Sequence, residues 1–308
     1  MSVSKDDPIT AANHNILINS VNKVFGDIYS SNTTASSKAT SSYGWGNVNV
    51  SDVIINDIIT ADQNNNLINR IDLGVEQTGV SSEVVNVIVD DEIYAATYNE
   101  IESKIAILDT NRTLSVDATV TSAGYDGNSV KTTWSSAISV TTTTTFASYA
   151  DARYFFNSGG QLRFSFDNDG VSDTAIAWAD LFSDTDIGTL IFSYDDVSQT
   201  GSRAGNVTSG SGFYELTTTP TELYNINLDA SPYTENDLKM EASRNASGTQ
   251  IIVTFTLTND DPQSTLVDGN TTCYIDHKIS NDKSKTAPIV DFSITGYSTF
   301  VLASWTGS

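Results

Sequence analysis

Catalytic residue types are scarce in this sequence. Its 308 residues include one cysteine, Cys273, and two histidines, His14 and His277. A single cysteine excludes an internal disulfide, and no third group is in view that would orient His277 beside Cys273 as a nucleophile–base pair requires. The motifs G-x-S-x-G, H-E-x-x-H and the P-loop are absent. We therefore expect the protein not to be an enzyme. A glycosidase-type pair among its 38 acidic residues is the open alternative.

Positive charge is also scarce. The chain has 15 lysines and arginines against 38 acidic residues, which gives a formal net charge of −23. Nucleic acids and anionic membrane surfaces both require a basic surface, so neither is an expected partner. No run approaches the roughly 18 apolar residues of a membrane span, and the first residues lack the apolar core of a signal peptide. We expect a protein made in a cytoplasm without a Sec-type signal and not inserted into a membrane.

Three related segments occupy the first third of the chain. They begin at Ile9, Ile59 and Ile93, and they share an alanine two positions later and an asparagine six positions later. A leucine or isoleucine follows at position eight, and a valine or isoleucine at position twelve. This spacing predicts three short amphipathic helices. Because the copies are unequally spaced, we predict a small helical bundle over residues 1–112, for docking or oligomerisation, and not a regular solenoid.

Residues at the ends of these segments predict where the helices begin and end. Thr10 and Thr60 are predicted N-caps, because a hydroxyl can accept a hydrogen bond from an unpaired amide of the first turn. Gly26 and Gly74 are predicted C-terminal stops. His14 occupies a slot that is also polar in the other two copies, so we predict a surface or boundary position for it.

The pattern changes to a period of two from about Thr113, and one short helix is predicted at Ala175–Phe182. Tyr125–Asn128 is predicted to be a loop, and Thr141–Thr145 an edge strand. Further alternating runs are Gly188–Tyr194, Glu222–Leu228, Leu238–Ala242, Ile251–Leu257, Cys273–Ile279 and Val290–Ile294. Such runs, separated by turns, predict an antiparallel β-sandwich or barrel over residues 113–308. The expected fold class is α+β, mainly β.

The stretch Asp151–Phe166 is predicted to form strand, turn and strand. Its aromatic start favours a strand, and Asn157-Ser-Gly-Gly has the residues of a tight turn. Leu162, Phe164 and Phe166 then alternate with polar residues, as in a half-buried strand.

The acidic segment after this stretch is the candidate cation site. Asp167, Asp169 and Asp173 place oxygen ligands around Gly170, as calcium loops do. The register of an EF-hand fails, because position twelve would be Ile176. Calcium is therefore the one candidate cofactor, and a plain hairpin turn is the alternative.

Several pieces of the sequence resemble, in order, the virion structural proteins of T4-like tailed phages, notably those of marine cyanobacteria. The resemblance covers most of the chain from Ile9 to Thr295. The first of its five pieces is the repeated Ile-Thr-Ala…Asn…Leu unit, and the second is Tyr43-Gly-Trp-Gly with a second unit ending near Gln77-Thr-Gly79. The third is Arg153-Tyr-Phe-Phe-Asn-Ser-Gly-Gly-Gln-Leu-Arg-Phe, and the fourth is Phe213-Tyr-Glu-Leu-Thr-Thr. The fifth is the Ile251–Leu257 strand with Asn259-Asp-Asp261 and Val267-Asp-Gly269.

This resemblance implies a tail-fibre, baseplate or neck appendage protein located in the virion, and it brings no catalytic or binding residues. The expected partners are other virion proteins, with a homotrimer by analogy with phage fibres. The alternative is a carbohydrate-binding domain that recognises a host surface glycan. Exposed aromatics would stack on the sugar rings, and the candidates are Trp45, Trp134, Trp178 and Trp305. A capsid decoration protein and a glycan hydrolase are the remaining alternatives.

Overall fold

The computed structural model describes residues 9–26, 44–80, 95–114, 121–263 and 266–279. Within these ranges three helices come first, and ten strands with two interspersed helices follow. The fold is α+β and mainly β, which confirms the predicted class. The predicted strand Val290–Ile294, Trp305 and most of the alternating run after Leu114 lie outside the described residues.

The first part of the chain is a bundle of three helices. They are α1 (Ala11–Phe25), α2 (Ala61–Thr78) and α3 (Ala95–Asn111). Each helix contacts the other two. The Nδ1 atom of His14, near the start of α1, lies 2.5 Å from the hydroxyl of Tyr98, near the start of α3. Lys23, near the end of α1, forms an ion pair of 2.7 Å with Asp109, near the end of α3. Corresponding ends therefore lie together, and α1 and α3 run in the same direction.

Corresponding residues of the three copies share layers of the bundle core. Buried positions recur five, eight, twelve and fifteen residues after the first isoleucine, which is the alternating spacing of three and four found in coiled coils. Gly74 belongs to the last layer, and a Cβ there would lie 2.5 Å from Phe25 and 2.9 Å from Leu108. This close approach places the end of α2 beside the ends of α1 and α3, so all three helices are parallel. The apolar members of the layers are Leu17, Leu67, Ile101, Val21, Ile71, Ile105, Val24 and Leu108.

The helix ends confirm three of the four predictions made for them. Thr10 and Thr60 are N-caps, and each accepts a hydrogen bond from the amide three residues later in a capping box. Gly26 is the C-cap of α1. The prediction for Gly74 is wrong, because α2 continues to Thr78 and ends at Gly79, whose φ is +68°. Gly74 is needed for close packing, and Gly79 for the left-handed cap.

An extended strap, residues 47–53, runs along α1. The side-chain amide of Asn15 donates to the carbonyl of Val53 and accepts from its amide, both at 2.8 Å. Asn22 makes the same two bonds, also at 2.8 Å, with Val50. Seven helical residues rise roughly 10.5 Å, and three extended residues span about 10 Å. Asparagines two turns apart therefore match main-chain groups three residues apart, which fixes the strap in register on α1.

The second part of the chain is a β-sandwich. Its strands are β1 (Thr121–Trp134), β2 (Ala137–Thr145), β3 (Gln161–Asn168), β4 (Leu190–Phe192), β5 (Val197–Gln199), β6 (Asn206–Val207), β7 (Thr221–Asn227), β8 (Asp237–Arg244), β9 (Gln250–Thr258) and β10 (Val267–Ile279). Its helices are α4 (Tyr149–Asn157) and α5 (Asp173–Phe182), with a 3-10 turn at Phe213–Glu215. The antiparallel sheets have the orders β1-β10-β3-β4-β5 and β2-β9-β8-β7-β6. They pack face to face, because Phe255 lies 5.0 Å from both Phe164 and Phe166, measured between ring centroids.

Helix α4 corrects the prediction for Asp151–Phe166. Only the second predicted strand exists, as β3, and the aromatic start is helical. Ser148 caps this helix by accepting a hydrogen bond from the amide of Asp151 at 3.1 Å. Ala152, Phe155 and Phe156 then point inward, at the spacing of one helical face. The turn predicted at Asn157-Ser-Gly-Gly is present, but it joins the C-terminal end of α4 to β3 instead of joining two strands. The strand prediction failed because aromatic propensity was weighed without the cap three residues before the stretch.

Three further predictions for the sandwich can be compared with the structure. Helix α5 confirms the helix predicted at Ala175–Phe182, and β2 confirms Thr141–Thr145 as an edge strand. The loop predicted at Tyr125–Asn128 is wrong, because these residues lie within β1. The pairing of β1 with β10 shifts register on either side of Tyr125. The turn-like residues are therefore accommodated as irregularities in a continuous strand.

Candidate functional site

Asn157 is the polar centre of the contact between bundle and sandwich, which we call the joint. Its side-chain amide donates to the carbonyl of Gly44 at 3.1 Å, and its main-chain carbonyl accepts from the indole of Trp45 at 3.1 Å. Its side-chain oxygen accepts from the hydroxyl of Tyr214 at 2.7 Å. All of these side chains are buried. One carboxamide thus links the loop before the strap to the core of the sandwich.

Trp45 fixes the bundle side of the joint. Its ring lies 4.9 Å from that of Phe25 in an edge-on arrangement, as aromatic pairs prefer. Its amide donates to the carbonyl of Val24 at 3.1 Å. The indole is therefore packed against the end of α1 while its N–H reaches across to α4.

The ends of α2 and α3 also reach the segment that follows α4. Gln77, in the last turn of α2, donates to the carbonyl of Ser158 at 3.4 Å. Gly159 has a φ of +88°, and a Cβ there would lie 2.4 Å from the carbonyl of Thr113, just beyond α3. A glycine is thus required twice over at this position, by its backbone conformation and by the close approach.

Two buried arginines flank the joint. The guanidinium of Arg112 donates to the hydroxyl of Tyr194 at 2.7 Å and lies 5.0 Å from the centre of its ring. Arg153 lies over the ring of Tyr214 at 5.9 Å. Burial raises the pKa of Tyr214 above its usual value, and the charge of Arg153 acts in the opposite direction. Tyr214 is therefore a neutral hydroxyl that donates to Asn157.

Three of the five sequence pieces described above meet at this joint. They contribute Trp45 and Gln77, Asn157 with Gly159, and Tyr214. Sequence analysis identified these pieces but could not bring them together, because Trp45 and Asn157 are 112 positions apart. The one available sequence signal was the position of Asn157, after two phenylalanines and shortly before two glycines. This pattern predicts a turn.

The calcium candidates lie at a tightly bonded corner of the first sheet. The carboxylate of Asp169 accepts from the main-chain and side-chain amides of Asn270 at 2.5 and 3.0 Å, and these bonds lower its pKa. Asp173 is the first residue of α5, and Asp167 lies exposed near the end of β3. Among the described residues, no three acidic, histidine or cysteine side chains are grouped as metal ligands would be. Calcium at Asp167, Asp169 and Asp173 stays a prediction.

A buried polar layer crosses the bundle core. His14, Asn64 and Tyr98 occupy the same slot of the three copies, and all three are buried. The Nδ1 atom of His14 lies 2.5 Å from the Tyr98 hydroxyl, and burial lowers the pKa of His14 to about 4. The surface or boundary position predicted for His14 is therefore wrong. Its polar neighbours suggested solvent, whereas the coiled-coil spacing places this slot inside.

Cys273 and His277 lie on β10 and are buried, as their alternation with apolar residues predicts. Burial raises the pKa of the Cys273 thiol well above its usual value. The thiol is therefore protonated at neutral pH, whereas a nucleophilic cysteine needs a lowered pKa.

A cleft of about 440 Å³ opens between α1, α2 and the strap. Its lining is rich in carboxamides, including Gln63, Asn66 and Asn69, and its single acidic residue is Asp52. Glycoside hydrolysis uses two facing carboxyl groups, so this cleft does not have the residues of a glycosidase site.

No protein family model, curated protein or solved structure matches the chain. None of the helices in the described ranges is both long and apolar enough to cross a membrane.

Proposed function

We propose that this protein is a non-enzymatic structural component of a tailed-phage particle, of the tail-fibre, baseplate or neck appendage type. In this proposal the parallel bundle docks to other particle proteins, and the sandwich projects from it. The joint makes the two parts one rigid unit, so that a load on the sandwich is passed to the bundle.

The buried and hydrogen-bonded joint of Trp45, Asn157 and Tyr214 is the observation that carries this proposal. Residues that line a catalytic or ligand site surround a cavity, whereas Trp45, Asn157 and Tyr214 are buried and bonded to one another. Such an arrangement fixes two structural parts relative to each other. It supports a scaffold in preference to a catalyst.

The carbohydrate-binding alternative lacks a matching observation among the described residues. Trp45, Trp134 and Trp178 are buried, and the indole of Trp134 donates to the hydroxyl of Thr271 at 2.8 Å. Sugar rings stack on exposed aromatic faces, and these three tryptophans present none. The homotrimer stays an expectation, and it would use surfaces other than the buried core of the bundle.

The test is to purify particles of the virus that encodes the chain and to locate the protein in a particle reconstruction. We expect a fixed copy number per particle, with the bundle toward the particle and the sandwich outward. A protein that is abundant in infected cells but missing from purified particles would contradict the proposal.

The role of the joint is tested by introducing Asn157→Ala into the viral gene, with Asn225→Ala as a matched control on an exposed pair with Asn206. We expect fewer particles to incorporate the first variant, and normal incorporation of the second. Equal incorporation of both variants would show that a rigid joint is not needed for assembly.

A further inference from the structure

The turn between the strap and α2 exposes three isoleucines, which we call the isoleucine tip. Ile54, Ile55 and Ile58 are 73, 68 and 87 % exposed. Single exposed aliphatic residues are ordinary, whereas three within five positions concentrate apolar surface at one turn. Nothing in the catalytic, metal or joint chemistry described above uses them.

The backbone holds the tip in one conformation. Val53, directly before it, is buried and bonded through its amide and carbonyl to Asn15. The carbonyl of Ile54 accepts from the amide of Asp57 at 3.0 Å, which closes a tight turn. Asn56 has a φ of +77°, which asparagine tolerates better than most residues. Because α2 begins three residues after Ile58, both ends are fixed, and binding would cost little conformational entropy.

Comparison of the repeats separates the tip from the requirements of the fold. The valine six positions before the first isoleucine recurs in all three copies, as Val3, Val53 and Val87. The tip residues do not recur as a set: copy one has Ser4, Lys5 and Pro8 at those positions, and copy three has Ile88, Val89 and Glu92. A valine at this position is thus common to the repeat, whereas three isoleucines belong to copy two alone.

Charge around the tip indicates the kind of partner. Asp52, Asp57 and Asp62 flank the isoleucines in sequence. Residues 44–69 contain no lysine or arginine, and Arg70, the next residue, donates to the carbonyl of Val48 in the strap at 2.8 Å. A second copy of the chain, or an anionic membrane, would bring like charge against these carboxylates. A protein pocket with an apolar floor and a basic rim would match both features of the tip.

We propose that the isoleucine tip docks into an apolar pocket bordered by lysine or arginine on another protein of the particle. The three isoleucines fill the pocket, and the aspartates pair with its rim. The choice of a particle protein as the source of the pocket rests on the proposed function. The docking chemistry itself rests on the exposure, rigidity and charge of the tip.

Site-specific photocrosslinking in the infected host tests this proposal. Benzoylphenylalanine replaces Ile58 in one variant and Val171, which is 80 % exposed in the sandwich, in the control. We expect the first variant to crosslink to one identified particle protein, at a segment where apolar residues adjoin lysine or arginine. Crosslinks to a second copy of the chain, to lipid, or with equal yield from both positions would overturn the proposal.

Binding to the crosslinked protein then measures the contribution of each feature. Ile55→Ser with Ile58→Ser should weaken binding by about tenfold or more, and Asp57→Asn should weaken it less and reduce its salt dependence. Val171→Ser is the matched control, and unchanged circular dichroism shows that each variant folds. An unchanged affinity of the double variant would exclude the tip from the interface.

Mass spectrometry of purified particles separates this proposal from the proposed function. If the chain is absent from particles but Ile58 crosslinks to a basic-rimmed pocket, the docking chemistry of the tip holds, and the virion function and the particle source of the pocket both fail. If the chain is present and Ile58 does not crosslink to such a pocket, the tip proposal fails alone.

Discussion

The bundle and the sandwich bury different kinds of side chain. The sandwich core is crowded with aromatic rings, and Phe156 alone contacts the rings of Phe155, Phe192 and Phe213. The layers of the bundle are aliphatic, apart from the polar layer that contains His14. Large rings exclude much apolar surface from water, so the sandwich gains most of its stability from burial.

Individual polar contacts also hold the bundle and the joint together. Asn15 and Asn22 hold the strap, and Asn157 joins α4 to Trp45. Each such bond contributes little net stability, but a buried partner left without it is costly. Single substitutions in the sandwich should therefore lower stability mainly by removing packed side-chain volume. Single substitutions in the bundle and at the joint should lower it mainly by leaving buried polar groups without hydrogen bonds.

The largest effect is expected from removing a ring in the sandwich. Phe156 is fully buried and lies 4.5 Å from Phe213 in a stacked pair. Phe156→Ala should lower the free energy of unfolding by about 3–5 kcal/mol, measured by urea denaturation. Ile176→Ala, on the exposed side of α5, should change it by less than about 0.5 kcal/mol. Similar effects of both would contradict the burial argument.

A smaller effect is expected at the joint. Asn157→Ala leaves the carbonyl of Gly44 without its donor and removes the acceptor of Tyr214, and should cost about 2–3 kcal/mol. Tyr214→Phe removes only the hydroxyl. In a double-mutant cycle we expect a coupling energy of roughly 1 kcal/mol between the two positions. Fully additive effects would show that the 2.7 Å hydrogen bond contributes nothing.

The polar layer should make the bundle sensitive to mild acid. His14 has a pKa of about 4 in the folded protein and 6.5 without burial. Between these values the unfolded chain binds more protons, so the free energy of unfolding falls as pH drops from 6.5 toward 4. For one proton the slope is at most about 1.4 kcal/mol per pH unit. This slope is measured by hydrogen exchange of the α1 amides, corrected for the change of intrinsic exchange rates with pH.

His14→Asn is the matched control for this pH dependence, because asparagine already occupies the same slot in α2 as Asn64. Carboxylates titrate equally in both proteins, so the difference between them isolates the histidine. We expect the slope between pH 6.5 and pH 5 to be smaller in the variant. Identical slopes would show that His14 does not change its pKa on folding.

Local patterns were sufficient to predict most elements. Hydroxyl caps act within one turn, and Thr10 and Thr60 were predicted correctly for that reason. Alternation along β9 and β10 likewise reports a buried face directly. Gly74 was misread because a glycine looks the same in sequence whether it ends a helix or admits a neighbouring one. Only the packing of Phe25 and Leu108 against it distinguishes the two.

The joint could not be predicted from local pattern at all. Trp45, Asn157 and Tyr214 are brought together by the folded chain, and none of them has a periodic signal that points to the others. The Asn-Ser-Gly-Gly segment looked like a hairpin turn, since helix ends and hairpins favour the same residues.

The smallest effect is expected at the helix caps, where the two regions should behave alike. Thr60 accepts from the amide of Gln63 at 3.3 Å, and Ser172, before α5, accepts from the amide of Ala175 at 3.2 Å. Thr60→Ala and Ser172→Ala should each cost about 1 kcal/mol, and Thr60→Ser should cost much less, because serine retains the hydroxyl. Urea denaturation of the three variants measures this. A cap acts on the first turn of its own helix, whatever core lies behind it. A difference of more than about 1 kcal/mol between the two alanine variants would therefore mean that the surrounding region, bundle or sandwich, determines the loss in free energy of unfolding, and not the cap itself.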